Sequence, residues 1–306
     1  MGTPEFAVTI LKGLLDEKFN VVGVITAPDR PAGRGRKLNQ SAVKKFALEN
    51  KLTILQPKNL KNEEFHQELK DLKANLQIVV AFRMLPTIVW KMPKYGTFNL
   101  HASLLPEYRG AAPINWAIIN GETKTGVTTF FIDDKIDTGE IILQSEIDIN
   151  PTETVGQLHD KLMVLGSELV NKTVKQIEQR KVKTYKQPEK EEKAAPKIHT
   201  ETCKIDWDDS LDNIYNMIRG LNPYPAAWTT LENDNEEILI KIYDVRKEEA
   251  EHSLKNGTII TTKKELKVSV SNGYLIIESL KLAGKRKMDA KSLLNGYHFH
   301  QKSRML

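Results

Sequence analysis

The chain has 306 residues, 40% of them hydrophobic and 28% charged, which are ordinary values for a globular protein with room for about two domains. The single cysteine, Cys203, excludes an internal disulfide and a cysteine-cluster zinc site, and the seven histidines show no paired ligand spacing, so we expect no metal. No apolar run approaches the ~20 residues that cross a bilayer. The N-terminus also lacks the features of a signal peptide, so the sequence predicts a cytoplasmic location.

The first 150 residues alternate helical and strand patterns. Apolar residues at helical spacing, such as Phe6, Ile10 and Leu14, predict a first helix, and β-rich apolar runs predict strands. Strands this apolar, separated by helices, favour a doubly wound, mostly parallel α/β sheet that is covered on both faces. The predicted elements are helices at 4–18, 41–50, 63–72 and 113–119, and strands at 20–27, 52–55, 76–82, 96–102, 126–132 and 140–147.

The sheet pattern lacks its usual first strand. A central strand normally feeds the first helix of a doubly wound sheet, whereas this sequence starts with the turn MGTPEF. A fold that simply begins with the helix would leave ladder groups unpaired, so we expect a truncated chain or a wrongly assigned start codon. We therefore expect a gap or apolar slot beside the runs 20–27 and 76–82, which are apolar on both faces.

The second half of the chain changes in character. A long amphipathic helix is predicted at 152–181, with Thr152 or Thr154 as its cap. Residues 182–204 have the charged composition of a linker. Beyond them, a helix at 210–220 and short strands with turn signals at Asn256-Gly257 and Asn272-Gly273 predict a small antiparallel barrel. The sequence thus divides into an α/β domain at 1–181, a linker at 182–204 and a β-rich domain at 205–306.

A polar set follows the strand at 96–102. Asn99 and His101 are two residues apart, so they project from the same face of a strand, and Asp137 lies in a later Asp-Thr-Gly turn. On its own, an Asn-x-His pair is more often structural. Together, an amide, a titratable imidazole and a carboxylate suit the polarisation of a carbonyl and the removal of a proton from an attacking amine.

Positive charge is concentrated in two places. The loop 28–37 holds three arginines and one lysine, and residues 281–306 hold seven Lys or Arg and one acid, whereas the whole chain carries only +5. A charge run alone is more often solvated surface than a nucleic-acid contact.

Several segments resemble the folate-dependent formyltransferases. HASLLPEYRGAAPINWAI looks like their signature segment, and MGTPEFAV, APDRPAGRGRKL, GVTTFFIDDKIDTGEI and GKRKMDAKSLLNG resemble, in the same order, the members that act on tRNA. The resemblance covers essentially the whole chain. It implies an enzyme with a formyltransferase-like α/β domain and a C-terminal OB-like barrel that moves a formyl group from 10-formyltetrahydrofolate to the amine of methionine on initiator tRNA.

The resemblance also implies roles for particular residues. Asn99 and His101 would donate to the developing oxyanion, and Asp137 would orient His101 and accept the proton of the amine. The turn Ser103, Leu104, Leu105 and Pro106 would lie on the folate side, and the chain would act as a monomer. The residues implied in tRNA binding are Arg34, Lys37, Lys285, Arg286 and Lys287.

One residue departs from the family pattern and keeps other functions open. Arg83 stands where the family usually has glycine, near the expected folate pocket, so its guanidinium must point away or find a partner. The alternatives are a catalytically impaired tRNA-binding homologue and a related formyltransferase that acts on a small amine.

Overall fold

The computed structural model describes residues 1–32, 37–188, 193–234 and 236–306. The chain forms two compact units. Unit 1 comprises residues 1–110, 125–147 and 159–194, and unit 2 comprises residues 111–124, 148–158 and 195–306. No helix in the described ranges is both long and apolar enough to span a membrane.

The elements follow the predicted alternation. The helices are α1 (Glu5–Asp16), α2 (Ala42–Glu49), α3 (Glu63–Asp71), α4 (Thr87–Trp90), α5 (Pro113–Ile119), α6 (Val155–Glu178), α7 (Leu211–Leu221) and α8 (Ala290–Leu294). The strands up to the end of α6 are β1 (Val24–Ile25), β2 (Arg30–Ala32), β3 (Lys37–Asn39), β4 (Ile54–Leu55), β5 (Gln77–Val80), β6 (Thr97–His101), β7 (Arg109–Gly110), β8 (Lys124–Phe131) and β9 (Ile141–Asp148). The later strands are β10 (Ala194–Ala195), β11 (Ala227–Asn233), β12 (Glu236–Glu249), β13 (Ile259–Thr261), β14 (Leu266–Val270), β15 (Gly273–Leu282), β16 (Met288–Asp289) and β17 (Arg304–Met305).

The sheet of unit 1 is in two pieces. Strands β5, β6, β8 and β9 form one sheet in that order, and β1 pairs with β4 in a separate two-stranded sheet. β1–β4 and β5–β6 are parallel, whereas β6–β8 is antiparallel. The gap predicted between the two runs is present, as a cavity of about 450 Å³. β1 is shorter than the predicted strand 20–27, and its partner strand among the described residues is β4.

Local sequence signals set several helix ends. Phe6, Ile10 and Leu14 are buried on one face of α1, as their spacing predicts. α6 begins with a capping box, in which the Thr154 hydroxyl accepts from Gln157 N–H at 3.4 Å and the Gln157 amide oxygen accepts from Thr154 N–H at 2.9 Å. Of the two predicted caps, Thr154 is therefore the one that is used.

Unit 2 is built on a nearly closed antiparallel sheet. Its strands follow the order β13-β14-β15-β12-β11-β17, and β16 pairs with β15. A bridge between Thr258 and Arg304 links the segment before β13 to β17, so the two ends of the sheet approach each other. The fully buried core includes Ile218 from α7 and Ile240 and Leu275 from the sheet. This sheet is the barrel that the turn signals predict.

The contact-based units interleave along the chain. α5 belongs with the C-terminal sheet in unit 2, where the Asn115 side-chain amide donates to Gly220 O at 2.8 Å. A division at residues 181 and 204 follows the composition of the sequence. Composition gives no signal that α5 belongs with the C-terminal sheet.

Candidate active site

β6 carries the predicted polar pair to the end of a central strand. It pairs with β5 on one side and β8 on the other, with Asn99 opposite Val79 and Phe130. Asn99 and His101 share one face of β6 because side chains alternate along a strand. Asn99 is half-buried, and its side-chain amide makes no hydrogen bond to any residue that the structure describes. The amide is therefore available to a ligand.

One nitrogen of the His101 ring is hydrogen-bonded to the backbone, and the other faces Asp137. The ring is buried, and its Nε2 lies 2.8 Å from the carbonyl oxygen of Tyr108. Because a carbonyl oxygen only accepts, Nε2 carries the hydrogen of this bond. The other nitrogen, Nδ1, faces the Asp137 carboxylate at 3.7 Å. In the neutral ring Nδ1 then carries a lone pair, so His101 can donate to a substrate from Nδ1 only when the ring also holds a second proton.

Asp137 is held firmly by its loop. Its Oδ2 accepts from Gly110 N–H at 3.0 Å, and its backbone carbonyl accepts from Arg109 Nε at 3.0 Å and from Gln187 Nε2 at 2.9 Å. Asp137 has a φ of +54°, in the left-handed region that only the surrounding contacts sustain in a non-glycine residue. A Cβ at Gly139 would lie 1.7 Å from Phe131 O, so the loop requires glycine there.

Sequence reasoning missed some of these supports. Gln187 falls in the segment called a linker, yet it binds the carbonyls of both Asp137 and Gly139. Tyr108 contributes through its backbone carbonyl, which any residue could supply. The side-chain pattern of the sequence therefore gives no signal for either contact.

The turn after β6 is packed against the sheet. The Ser103 hydroxyl donates to Glu107 O at 2.6 Å, and Leu105 N–H donates to the Thr128 hydroxyl at 3.1 Å. Ser103 and Leu105 are buried, whereas Leu104 and Pro106 are half-buried. The Ser103 hydroxyl and the Leu105 N–H hold the turn itself, and the Leu104 side chain packs against β8, where a Cβ at Gly126 would lie 2.5 Å from Leu104 Cδ2.

The residues predicted to bind tRNA are described to different extents by the structure. Arg34 lies outside the described residues, and Lys37 is described by its backbone alone, which pairs with Ala32 between β3 and β2. Lys285 and Arg286 are exposed in the turn after β15.

The Lys287 ammonium, unlike an isolated surface charge, has partners within the same domain. Its ammonium lies 3.0 Å from Asp244 Oδ2 and 4.5 Å from the centre of the Tyr243 ring. Burial raises the pKa of Asp244, but hydrogen bonds from Ser279, Lys287 and Asn222 outweigh burial and hold that pKa below its ordinary value.

Arg83 finds partners without an acid. Its guanidinium donates to the carbonyl oxygens of Pro57 and Lys58 and lies 5.7 Å from the centre of the Phe82 ring. Burial, and then the charge of Arg30, lower the pKa of Arg83. The side chain thus ties the end of β5 to the loop after β4.

Within the described ranges, no group of three His, Cys, Asp or Glu residues could hold a metal ion.

The fold and this polar cluster are those of a formyl-transferring enzyme, and the chain belongs to the formyl transferase family. Residues 1–174 match the formyl transferase domain of that family, and residues 197–298 match its C-terminal domain. Among its relatives, the chain is 60% identical to the methionyl-tRNA formyltransferase of Flavobacterium johnsoniae, over 100% of this chain and 97% of the relative. It is 53% identical to the methionyl-tRNA formyltransferase of Bacteroides fragilis, over 100% of this chain and 96% of that one.

Solved structures share the fold at lower identity. An N-formyltransferase from Helicobacter canadensis, in complex with folinic acid and dTDP-3-aminofucose, has a TM-score of 0.64 and 22% identity, over 94% of this chain and 97% of that chain. HypX from Aquifex aeolicus, in complex with tetrahydrofolic acid, has a TM-score of 0.59 and 19% identity, over 81% of this chain and 43% of that one.

Proposed function

We propose that this protein transfers the formyl group of 10-formyltetrahydrofolate to the amino group of methionine on initiator tRNA and so supplies formylmethionyl-tRNA for translation initiation. The observation that carries the proposal is the approach of the Asp137 carboxylate to His101 Nδ1, at 3.7 Å, beside the available amide of Asn99. The full-length similarity to methionyl-tRNA formyltransferases supports the choice of acceptor.

The reaction exchanges one carbon–nitrogen bond for another. The amine attacks the formyl carbon, the bond from that carbon to the folate nitrogen breaks, and the folate nitrogen takes up a proton while the amine loses one. The negative charge that builds on the formyl oxygen is stabilised by the Asn99 amide, which donates to it. Asn99 is free to do so because no described protein group competes for its amide.

Asp137 and His101 together manage the proton of the amine. The Asp137 carboxylate accepts the proton, directly or through water, and fixes the ring of His101 from the Nδ1 side. The Tyr108 carbonyl fixes the same ring from the Nε2 side at 2.8 Å. When the ring holds a second proton at Nδ1, that N–H faces Asp137 and can donate a hydrogen bond to the formyl oxygen. No covalent intermediate is needed.

The two substrates are assigned to different parts of the chain. We place the folate beside the turn of Ser103, Leu104, Leu105 and Pro106, where Leu104 and Pro106 supply contact surface and Ser103 and Leu105 hold the turn. We assign the tRNA to the basic groups Arg34, Lys37, Lys285, Arg286 and Lys287, of which Lys287 also pairs with Asp244.

The proposed division of the chain is a catalytic domain at 1–181, a linker at 182–204 and a tRNA-binding domain at 205–306. Because the acceptor is used where translation starts, we place the protein in the cytoplasm, as a monomer.

The test measures formyl transfer to methionyl-tRNA beside a salt-dependent tRNA-binding titration. The expected result is formylmethionyl-tRNA whose formation requires 10-formyltetrahydrofolate, together with tRNA binding that weakens as salt rises. Binding without transfer would identify an impaired tRNA-binding homologue. Transfer to a small amine but not to methionyl-tRNA would identify a different acceptor, and either outcome overturns the proposal.

A further inference from the structure

One row of residues crosses the outer face of the unit 2 sheet and carries three lysines and a tryptophan. The row runs through direct register partners, from the segment before α7 across β11 and β12 to β15. Its members are Lys204, Trp228, Lys241 and Lys281, which we call the outer row. The residues on either side of each member are buried, namely Cys203 and Ile205, Ala227 and Thr229, Ile240 and Ile242, and Leu280 and Leu282. Because side chains alternate between the two faces of a sheet, the outer row points away from the core.

The outer row presents positive charge without a paired acid. Lys281 is exposed and makes no side-chain bond to any residue that the structure describes. The Lys204 ammonium lies 5.9 Å from the centre of the Trp228 ring, and the Lys241 ammonium donates to the carbonyl oxygen of Pro225 at 2.9 Å. Three strand spacings of ~4.8 Å make the row about 14 Å long. A line of cations of this length suits a polyanion better than a single small anion.

An aromatic side chain stands beside this charge. Tyr224 is 82% exposed, and it directly precedes Pro225, whose carbonyl oxygen binds Lys241. The loop that carries the ring is anchored on its other side, where Ala226 N–H donates to Leu221 O at 2.9 Å. The backbone of the loop is thus held against unit 2 while the ring itself is presented to solvent.

A line of lysines beside an exposed ring is an arrangement that binds unpaired nucleic acid. The lysines contact phosphates and a base stacks on the ring, and every base can stack because each has a π-face. A base inside a double helix cannot offer its face to Tyr224, since the neighbouring base pairs cover it. The nucleic acid is therefore single-stranded where it meets the ring.

We propose that the outer row and Tyr224 form a surface of unit 2 that holds an unpaired stretch of the tRNA. Phosphates lie along the three lysines, and one base stacks on Tyr224. The inference rests on the proposed function for the identity of the RNA. It adds a contact surface on the sheet itself to the exposed turn of Lys285 and Arg286.

The experiment titrates the full chain and its variants with deacylated initiator tRNA, with a single-stranded RNA of about 12 nucleotides and with a blunt-ended RNA duplex of the same length. Tyr224→Leu removes the ring, and Tyr224→Phe keeps it. The double change Lys204→Ala with Lys281→Ala removes two lysines of the outer row. Its matched control is Lys263→Ala with Lys264→Ala, which removes two exposed lysines elsewhere in unit 2.

Tyr224→Leu should weaken the binding of single-stranded RNA and of tRNA by about 10-fold, whereas Tyr224→Phe should stay within about 2-fold of the parent chain. Binding of the duplex should be the same in Tyr224→Leu and the parent. The change of Lys204 and Lys281 should lower the slope of log binding constant against log salt by about one to two. The control pair should lower this slope much less.

Three outcomes would overturn the proposal. They are equal RNA affinity in Tyr224→Leu and the parent, an equal loss in Tyr224→Leu and Tyr224→Phe, and equal slopes in the two lysine pairs. These titrations need no formyl transfer. If the parent formylates methionyl-tRNA while Tyr224→Leu binds RNA normally, only this inference fails. If RNA binds at this surface but the parent does not formylate methionyl-tRNA, only the proposed function fails.

Discussion

At the scale of single residues, the His101 ring is restrained by the protein, whereas the Asn99 amide is not. Tyr108 O binds Nε2 at 2.8 Å and fixes the orientation of the ring, and the Asp137 carboxylate faces Nδ1 at 3.7 Å, beyond hydrogen-bond distance. Asn99 has no such restraint from the described residues. The site thus combines a rigid proton-handling pair with an amide that is free for the substrate oxygen.

Asn99→Ala removes the donor to the formyl oxygen. We expect kcat to fall about 100–1000-fold, as is typical for the loss of one oxyanion donor. The unfolding midpoint should change little, because the amide makes no hydrogen bond to the described protein. Steady-state formylation and thermal unfolding check this. A fall in kcat of less than about 3-fold would remove Asn99 from the oxyanion role.

Gln187→Ala tests a positioning residue. Gln187 holds the carbonyls of Asp137 and Gly139 at 2.9 and 2.8 Å, so its loss should loosen the loop that presents the carboxylate. We expect kcat to fall about 10-fold with little change in KM for either substrate, since only the placement of the reacting groups changes. A change in KM alone would assign Gln187 to substrate binding instead.

At the scale of elements, β12 is irregular next to a carboxylate. The register between β12 and β15 shifts on both sides of Asp244, whose oxygens bind Asn222, Ser279 and Lys287. These bonds favour the charged form of Asp244 in the folded state. A carboxyl group with a lowered pKa stabilises the fold above its unfolded-state pKa, and this contribution is lost as the pH falls through the folded-state pKa.

Asp244→Asn should therefore reduce the dependence of stability on pH. The ordinary pKa is 3.8, so the contribution of Asp244 is fully present at pH 6 and declines below about 3.8. We expect the loss of unfolding free energy between pH 6 and 3 to be smaller in Asp244→Asn than in the parent chain. Denaturant titrations at both pH values measure it. Glu251→Gln is the control, because Glu251 is exposed and has no bond to the described residues. Equal losses in all three proteins would contradict the prediction.

The elements also show how far the sequence specifies this fold. The periodicity of α1 and the β-rich runs of β5 and β6 identify these elements, because burial follows directly from side-chain spacing. The sequence does not reveal that β1 shrinks to Val24–Ile25, since the length of a strand depends on its neighbours. In the site, Asn99, His101 and Asp137 could be chosen from residue chemistry and motif. The Tyr108 carbonyl and the Gln187 contacts could not, because they arise from the path of the backbone.

At the scale of the whole molecule, the uneven charge distinguishes the proposed acceptor from a small amine. A tRNA substrate brings many phosphates, so exposed cations on unit 2 should set how its binding depends on salt. Lys285 and Arg286 are exposed, whereas Lys287 is engaged by Asp244.

The double change Lys285→Ala and Arg286→Ala should weaken tRNA binding across sequences. The slope of log binding constant against log salt should fall by about one for each lost phosphate contact. The control is Lys263→Ala with Lys264→Ala, which removes two exposed lysines from the turn between β13 and β14. If both pairs lower the slope equally, the charge of unit 2 acts only as a diffuse field and the turn after β15 is not a contact site.

The central claim is that Asn99, His101 and Asp137 form the centre that formylates methionyl-tRNA. Single-turnover formylation at saturating folate and methionyl-tRNA tests it most directly, with the parent chain compared with Asp137→Asn. The asparagine keeps an oxygen for Gly110 N–H but cannot take the proton of the amine. The account predicts that the parent chain forms product and that Asp137→Asn forms it at least about 100-fold more slowly. Binding of tRNA should be the same in both proteins. Equal rates in the two proteins, or no formylation by the parent chain, would contradict it.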